Sequence, residues 1–75
     1  MKLQWKVHED GSETARFGPI EFSIEWCELW VEVINKRESY GGNYNRSLVG
    51  IYERRSSAKK RAQSIVDSLI KEVER

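Results

Sequence analysis

Hydrophobic positions along this chain obey two different periods, and the change falls between residues 52 and 57. In the opening segment KLQWKVH, Leu3, Trp5 and Val7 alternate with Lys2, Gln4, Lys6 and His8. Successive side chains of a strand point to opposite faces, so this alternation predicts a half-buried strand. EDGSE follows and predicts a turn, with Gly11 free to take a positive φ. TARFGP then predicts a short strand that ends at Gly18 and Pro19.

IEFSIEW alternates again and places Ile20, Phe22, Ile24 and Trp26 on one face. Beyond it, in CELWVEVIN, the parity reverses, because Leu29, Val31 and Val33 occupy odd positions. A slip of one residue turns every side chain over, so one flat strand cannot run through both halves. Either a tight turn or a bulge must lie near residues 26–28. The absence there of the Gly or Asn that primed two-residue hairpins prefer favours a bulged, bent strand. KRESYGGNYNR holds two Gly and two Asn within five residues and predicts a hairpin loop. SLVGIYE is the returning strand, with Leu48, Gly50 and Tyr52 on one face and Val49 and Ile51 on the other. A glycine inside a strand predicts close packing against the backbone, and the start of the following helix is the natural neighbour.

From Ser57 onward, Ala58, Ala62, Ile65, Val66, Leu69, Ile70 and Val73 fall on one stripe with helical spacing. The pattern predicts an amphipathic helix of about 17 residues with Ser56 or Ser57 as its N-cap. Together the elements imply an α+β fold: an antiparallel meander of three to four strands with one C-terminal amphipathic helix packed on one face. Seventy-five residues make a single domain over 1–75, near the lower limit for a self-sufficient core.

The net charge of +1 hides an asymmetry. Residues 1–38 carry five Lys or Arg against eight Asp or Glu, for −3, and residues 39–75 carry eight against four, for +4. The single cysteine, Cys27, rules out an intramolecular disulfide and fits a reducing interior. With no apolar run of signal or membrane-spanning length, the expected location is the cytoplasm, with no membrane partner.

Little points to catalysis. Cys27 lies beside Glu25 and Glu28, whose charges raise a thiol pKa rather than activate it. His8, the only histidine, falls on the polar side of its strand. One Cys and one His are too few for a structural zinc site, and no phosphate-cradling or nucleotide-binding motif occurs. Glu21 and Glu25 share a strand face but lie about 13 Å apart, too far for a catalytic pair. The chain therefore reads as no enzyme, with no metal, no cofactor and no small-molecule substrate indicated.

Chemistry concentrates instead at the junction YERRSSAKKRAQ, where five of the eight residues from Arg54 to Arg61 are cationic. Cations in a first helical turn oppose the macrodipole, so this placement costs some tenths of a kcal/mol each at an exposed site. Arg54, Arg55, Ser57, Lys59, Lys60 and Arg61 are candidates for an anion or nucleic-acid site, because free N–H groups at a helix start attract phosphate. Tyr40, Asn43 and Tyr44, in the hairpin loop, supply rings and amides able to contact bases. The alternative is that acidic strands neutralise these cations.

The stretch LVGIYERRSSAKKRA, a strand with Gly-x-aromatic and then a helix bearing Ala58 eight residues after Gly50, resembles the end of AP2-like and integrase arm-binding domains. The resemblance covers residues 49–62 and implies a three-stranded sheet inserted into a DNA groove. The acidic strands from Glu21 to Glu32 depart from that pattern, since carboxylates on the sheet repel phosphate. In size and composition the chain also resembles small phage or prophage proteins.

A second candidate surface is a protein interface. Trp30 and Ile34 lie opposite Leu29, Val31 and Val33, and one helix covers one side of a sheet only. Trp30 and Ile34, with Glu28 and Glu32 beside them, are expected in an exposed or partner-covered patch. The function expected is a small non-enzymatic binding module, a regulator or inhibitor that contacts a protein or a second copy of itself. Nucleic-acid binding through residues 54–61 and 40–45 is the alternative.

Overall fold

The computed structural model describes residues 1–34 and 46–73. Five strands and one helix follow each other as β1 Lys6–Val7, β2 Glu13–Phe17, β3 Ile20–Glu25, β4 Glu28–Val33, β5 Arg46–Ile51 and α1 Arg55–Val73. The sheet order is β1-β2-β3-β4-β5, antiparallel throughout, with α1 laid across one face. This is the α+β meander with a C-terminal helix that the two periods predict, with five strands in place of three or four.

The core lies between α1 and the inner sheet face. Phe22, Ile24, Leu29 and Val66 are its largest fully buried side chains, joined by Leu3, Ala15, Ala58 and Ala62. The small Ala58 and Ala62 let the first half of α1 approach the sheet closely, and Trp5, Phe17, Ile20, Val31, Val49, Tyr52, Ile65 and Ile70 pack round the edge. Leu3 and Trp5 face inward as their alternation predicts, but Val7 is exposed. β1 spans only Lys6 and Val7, at the edge of the sheet, where the helix does not reach over it. Gln63 of α1 holds the segment before β1: its Oε1 accepts the Leu3 N–H at 2.8 Å and its Nε2 donates to the Met1 carbonyl at 2.6 Å. One side-chain amide thus serves donor and acceptor of a backbone that has no strand partner there.

Between β3 and β4 the chain makes a tight turn, not a bulged, bent strand. Glu25 and Glu28 face each other across it, with Trp26 and Cys27 as its two central residues. Trp26 has φ 60° and Cys27 does not have a positive φ, the arrangement of a type II′ hairpin turn. Glycine normally fills that first position, which is why the residue types concealed the turn. Trp26 consequently leaves the face shared by Phe22 and Ile24 and stands in solvent, 84% exposed.

A register shift does occur, but between β4 and β5, where Leu29 opposes Gly50 and Trp30 opposes Leu48. The extra residue, Val49, packs on the core, so the simple alternation expected for β5 fails at that point. A Cβ on Gly50 would stand 3.0–3.2 Å from the ring of Tyr52, so Tyr52 and not the helix crowds this glycine. The helix begins at Arg55, ahead of both expected caps. The Arg54 carbonyl accepts the first helical N–H groups, from Ser57 at 3.1 Å and Ala58 at 3.3 Å, and leaves Ser56 and Ser57 exposed in the first turn.

The left-handed backbone of Trp26 costs an ordinary residue about 1–2 kcal/mol, partly offset by the greater chain entropy a glycine loses on folding. Trp26→Gly is therefore expected to fold with equal or higher stability, by up to about 1 kcal/mol. Denaturant unfolding followed by circular dichroism checks this. A clear loss of stability would show that the indole, despite its exposure, supports the fold.

Candidate functional site

Glu13 occupies the first position of β2 and shares the inward parity of Ala15 and Phe17, so its carboxylate enters the core side of the sheet. It is 6% exposed. A buried charge is tolerated only when paired and hydrogen-bonded. Lys59 donates to Oε1 at 2.7 Å and Arg55 to Oε2 at 3.1 Å. These two residues lie four apart on one helix face, the spacing that lets neighbouring side chains reach one target. Arg55 also donates to the Gly11 carbonyl at 2.5 Å and to the Trp26 carbonyl at 3.2 Å, and Lys59 lies 5.8 Å from the ring centre of Trp5. The contact with Lys59 first, and then that with Arg55, hold the Glu13 carboxyl below its ordinary value.

Of the basic junction, then, Arg55 and Lys59 face inward to a buried carboxylate, while Arg54, Ser57, Lys60 and Arg61 are exposed. The first turn of α1 carries no acid. Tyr40, Asn43 and Tyr44 lie outside the described residues.

Among the described residues no helix lies on the opposite face of the sheet. Across it run three rows of register partners: Thr14, Ser23, Trp30 and Leu48; Arg16, Glu21, Glu32 and Arg46; and Glu25, Glu28 and Ile51. Two of the β3–β4 pairs set glutamate against glutamate, Glu21 with Glu32 and Glu25 with Glu28. Like charges directly opposite each other destabilise a sheet. Arg16 and Arg46 stand at the ends of one such row, and Arg46 also pairs with Glu25 while its guanidinium lies 4.5 Å from the ring centre of Trp30. Trp30 is consequently half-buried beneath Arg46 rather than freely exposed. Ile34 is also half-buried, and its N–H donates to the Pro19 carbonyl at 2.7 Å. Glu28 and Glu32 are half-buried on the same outer face as Trp30, whereas Leu48 and Ile51 are exposed on edge strand β5. A depression of 240 Å³ on this face is lined by Ser12, Thr14, Ser23, Glu25, Glu32 and Arg46.

At one end of the sheet the turn at residues 8–12 meets the Trp26–Cys27 turn. Asp10 caps its own turn, accepting the Ser12 hydroxyl at 2.6 Å and the Ser12 N–H at 2.9 Å, which lower its pKa. A cleft of 310 Å³ between the turns is lined by Asp10, Ser12, Glu25, Trp26 and Arg55. His8, nearby in sequence, bonds the Thr14 hydroxyl through Nε2 at 2.8 Å. Among the described residues no three His, Cys, Asp or Glu side chains converge to hold a metal ion, and no helix is long and apolar enough to cross a membrane.

Sequence reasoning did not single out Glu13 or Trp26. A signal for Glu13 was present, because a carboxylate in register with Ala15 and Phe17 is a charge on an apolar face. For Trp26 the signal was the parity reversal, which admits a tight turn or a bulge and was resolved toward the bulge.

The depressed Glu13 pKa fixes a pH dependence. A carboxyl whose pKa falls on folding contributes stability above its unfolded value, ordinarily 4.5, and loses that contribution as pH drops through the lower folded value. Stability is expected to decline below pH 4.5, and Glu13→Gln should flatten that decline. At neutral pH the substitution should cost about 1–2 kcal/mol, less than breaking a fully buried pair because both cations are partly solvated. Thermal melts of both proteins across pH 3–7 check this; parallel curves would mean that Glu13 does not govern the acid limb.

No protein-family model matches this chain, and neither a curated protein nor a solved structure matches it.

Proposed function

We propose that the chain is a non-enzymatic protein-binding module, a regulator or inhibitor, that offers its helix-free sheet face to a basic protein partner. The observation that carries this reading is the pair of Glu–Glu partners, Glu21 with Glu32 and Glu25 with Glu28, on the uncovered face. Like charges directly opposite each other weaken a sheet; Arg46 offsets part of this at Glu25 and Glu32, and cations brought by a partner would relieve the rest on binding. Exposed Leu48 and Ile51 beside the carboxylates add apolar area to the same surface. Nucleic acid is the weaker reading, because Arg55 and Lys59 are engaged with Glu13 and the sheet carboxylates repel phosphate.

Glu21→Thr with Glu28→Thr is expected to raise stability by a few tenths of a kcal/mol while removing partner binding. A photo-reactive residue at Ser23, in the middle of the sheet face, should cross-link a discrete basic protein in host extract, and one at Ser64, exposed on the helix, should not. Cross-linking that persists in the double variant, or that comes from Ser64 alone, overturns the reading. So does tight binding of oligonucleotides with a log–log salt slope of about −0.9 per phosphate that disappears in Arg54→Ala, Lys60→Ala and Arg61→Ala combined.

A further inference from the structure

Resting on that reading, we propose that Trp26 anchors the contact and that its occupant is an arginine on an extended segment of the partner protein. Trp26 is the most exposed large aromatic among the described residues, and it stands where the backbone favours glycine. Its turn is fixed on both sides: the Trp26 carbonyl accepts Arg55 Nε, and the Cys27 carbonyl accepts the Tyr52 N–H at 2.8 Å. An indole presented on a turn already held in place loses little further freedom on binding, as an interface anchor should.

The protein itself shows how this sheet receives a guanidinium. Arg46 lies over the Trp30 ring and pairs with Glu25, an indole and a carboxylate gripping one cation. An indole beside carboxylates recurs at Trp26, where among the described residues no arginine lies over the ring. Trp26 walls the 310 Å³ cleft that also holds Asp10 and Glu25, Glu28 faces Glu25 across the turn, and Cys27 Sγ lies 3.9 Å from the backbone carbonyl of Glu53. Arg55, the cation lining the cleft, directs its donors to Gly11, Glu13 and the Trp26 carbonyl, and shares the Glu13 carboxylate with Lys59. Arginine fits better than lysine because its planar guanidinium stacks on an indole while its edge pairs with a carboxylate.

The test uses the full chain, labelled so that the three indole N–H signals are resolved by NMR, and a short capped peptide carrying two arginines. The Trp26 signal should shift and saturate, with Trp5 and Trp30 moving little. Replacing arginine by neutral citrulline, or Trp26 by glycine, should each weaken binding roughly tenfold. Equal affinity for the citrulline peptide, unchanged binding by Trp26→Gly, or a Trp26 shift produced by an oligonucleotide instead would overturn the proposal. A Ser23 cross-link to a basic protein that survives Trp26→Gly would leave the protein-binding reading standing and remove Trp26 from it.

Discussion

A carboxylate that enters the inner face of a small sheet must be met by cations, and Glu13 is met by two from a single helix face. That requirement reaches through the rest of the fold. Arg55 has to stand in the first turn of α1, close to Gly11 and the Trp26 carbonyl, so the helix starts there and not at the serines that follow. Lys59, one turn on, completes the pair and lies near Trp5. With both ends of the clamp fixed, Ala58 and Ala62 are brought down on the sheet, and Val66 becomes the first bulky helical side chain to be fully buried. Of the cations crowded at the helix start, Arg55 and Lys59 oppose its dipole but are held by a buried acid, which outweighs a penalty of about tenths of a kcal/mol each.

With the helix committed to one face, the other is stabilised, among the described residues, by contacts within the sheet. There the strands meet as charged and aromatic rows, and Arg46 does most of the reconciling: it opposes Glu32, pairs with Glu25 and covers Trp30. It offsets only part of the direct opposition of Glu21 with Glu32 and of Glu25 with Glu28, since its ion pair is with Glu25. An exposed tryptophan in a left-handed backbone conformation stands at the end of the same surface. Each of these features weakens the isolated chain slightly, and under the proposed function each would be relieved against a cationic partner. Their coincidence on the face that the helix leaves bare is what separates them from scattered surface irregularities.

Two periods in the sequence determined the meander and its C-terminal helix, because a period of 2 or 3.6 is written locally and burial of one face only reinforces it. The inward set of Phe22, Ile24, Leu29, Ala58, Ala62 and Val66 was legible for the same reason. The parity reversal at residues 26–28 was legible as well, but its resolution was not. Choosing a turn over a bulge required the outer contacts of Arg55 with the Trp26 carbonyl and of Tyr52 with Cys27, which come from residues more than twenty positions away. The bulge itself fell at Val49, where neither Gly50 nor its neighbours signalled it. Tertiary structure alone also decided which junction cations are engaged, since charges at 55 and 59 look identical to those at 54, 60 and 61 until Glu13 is placed beneath them. Local patterns fix which way a side chain points; the charge it meets there is fixed only by strands brought together from elsewhere in the chain.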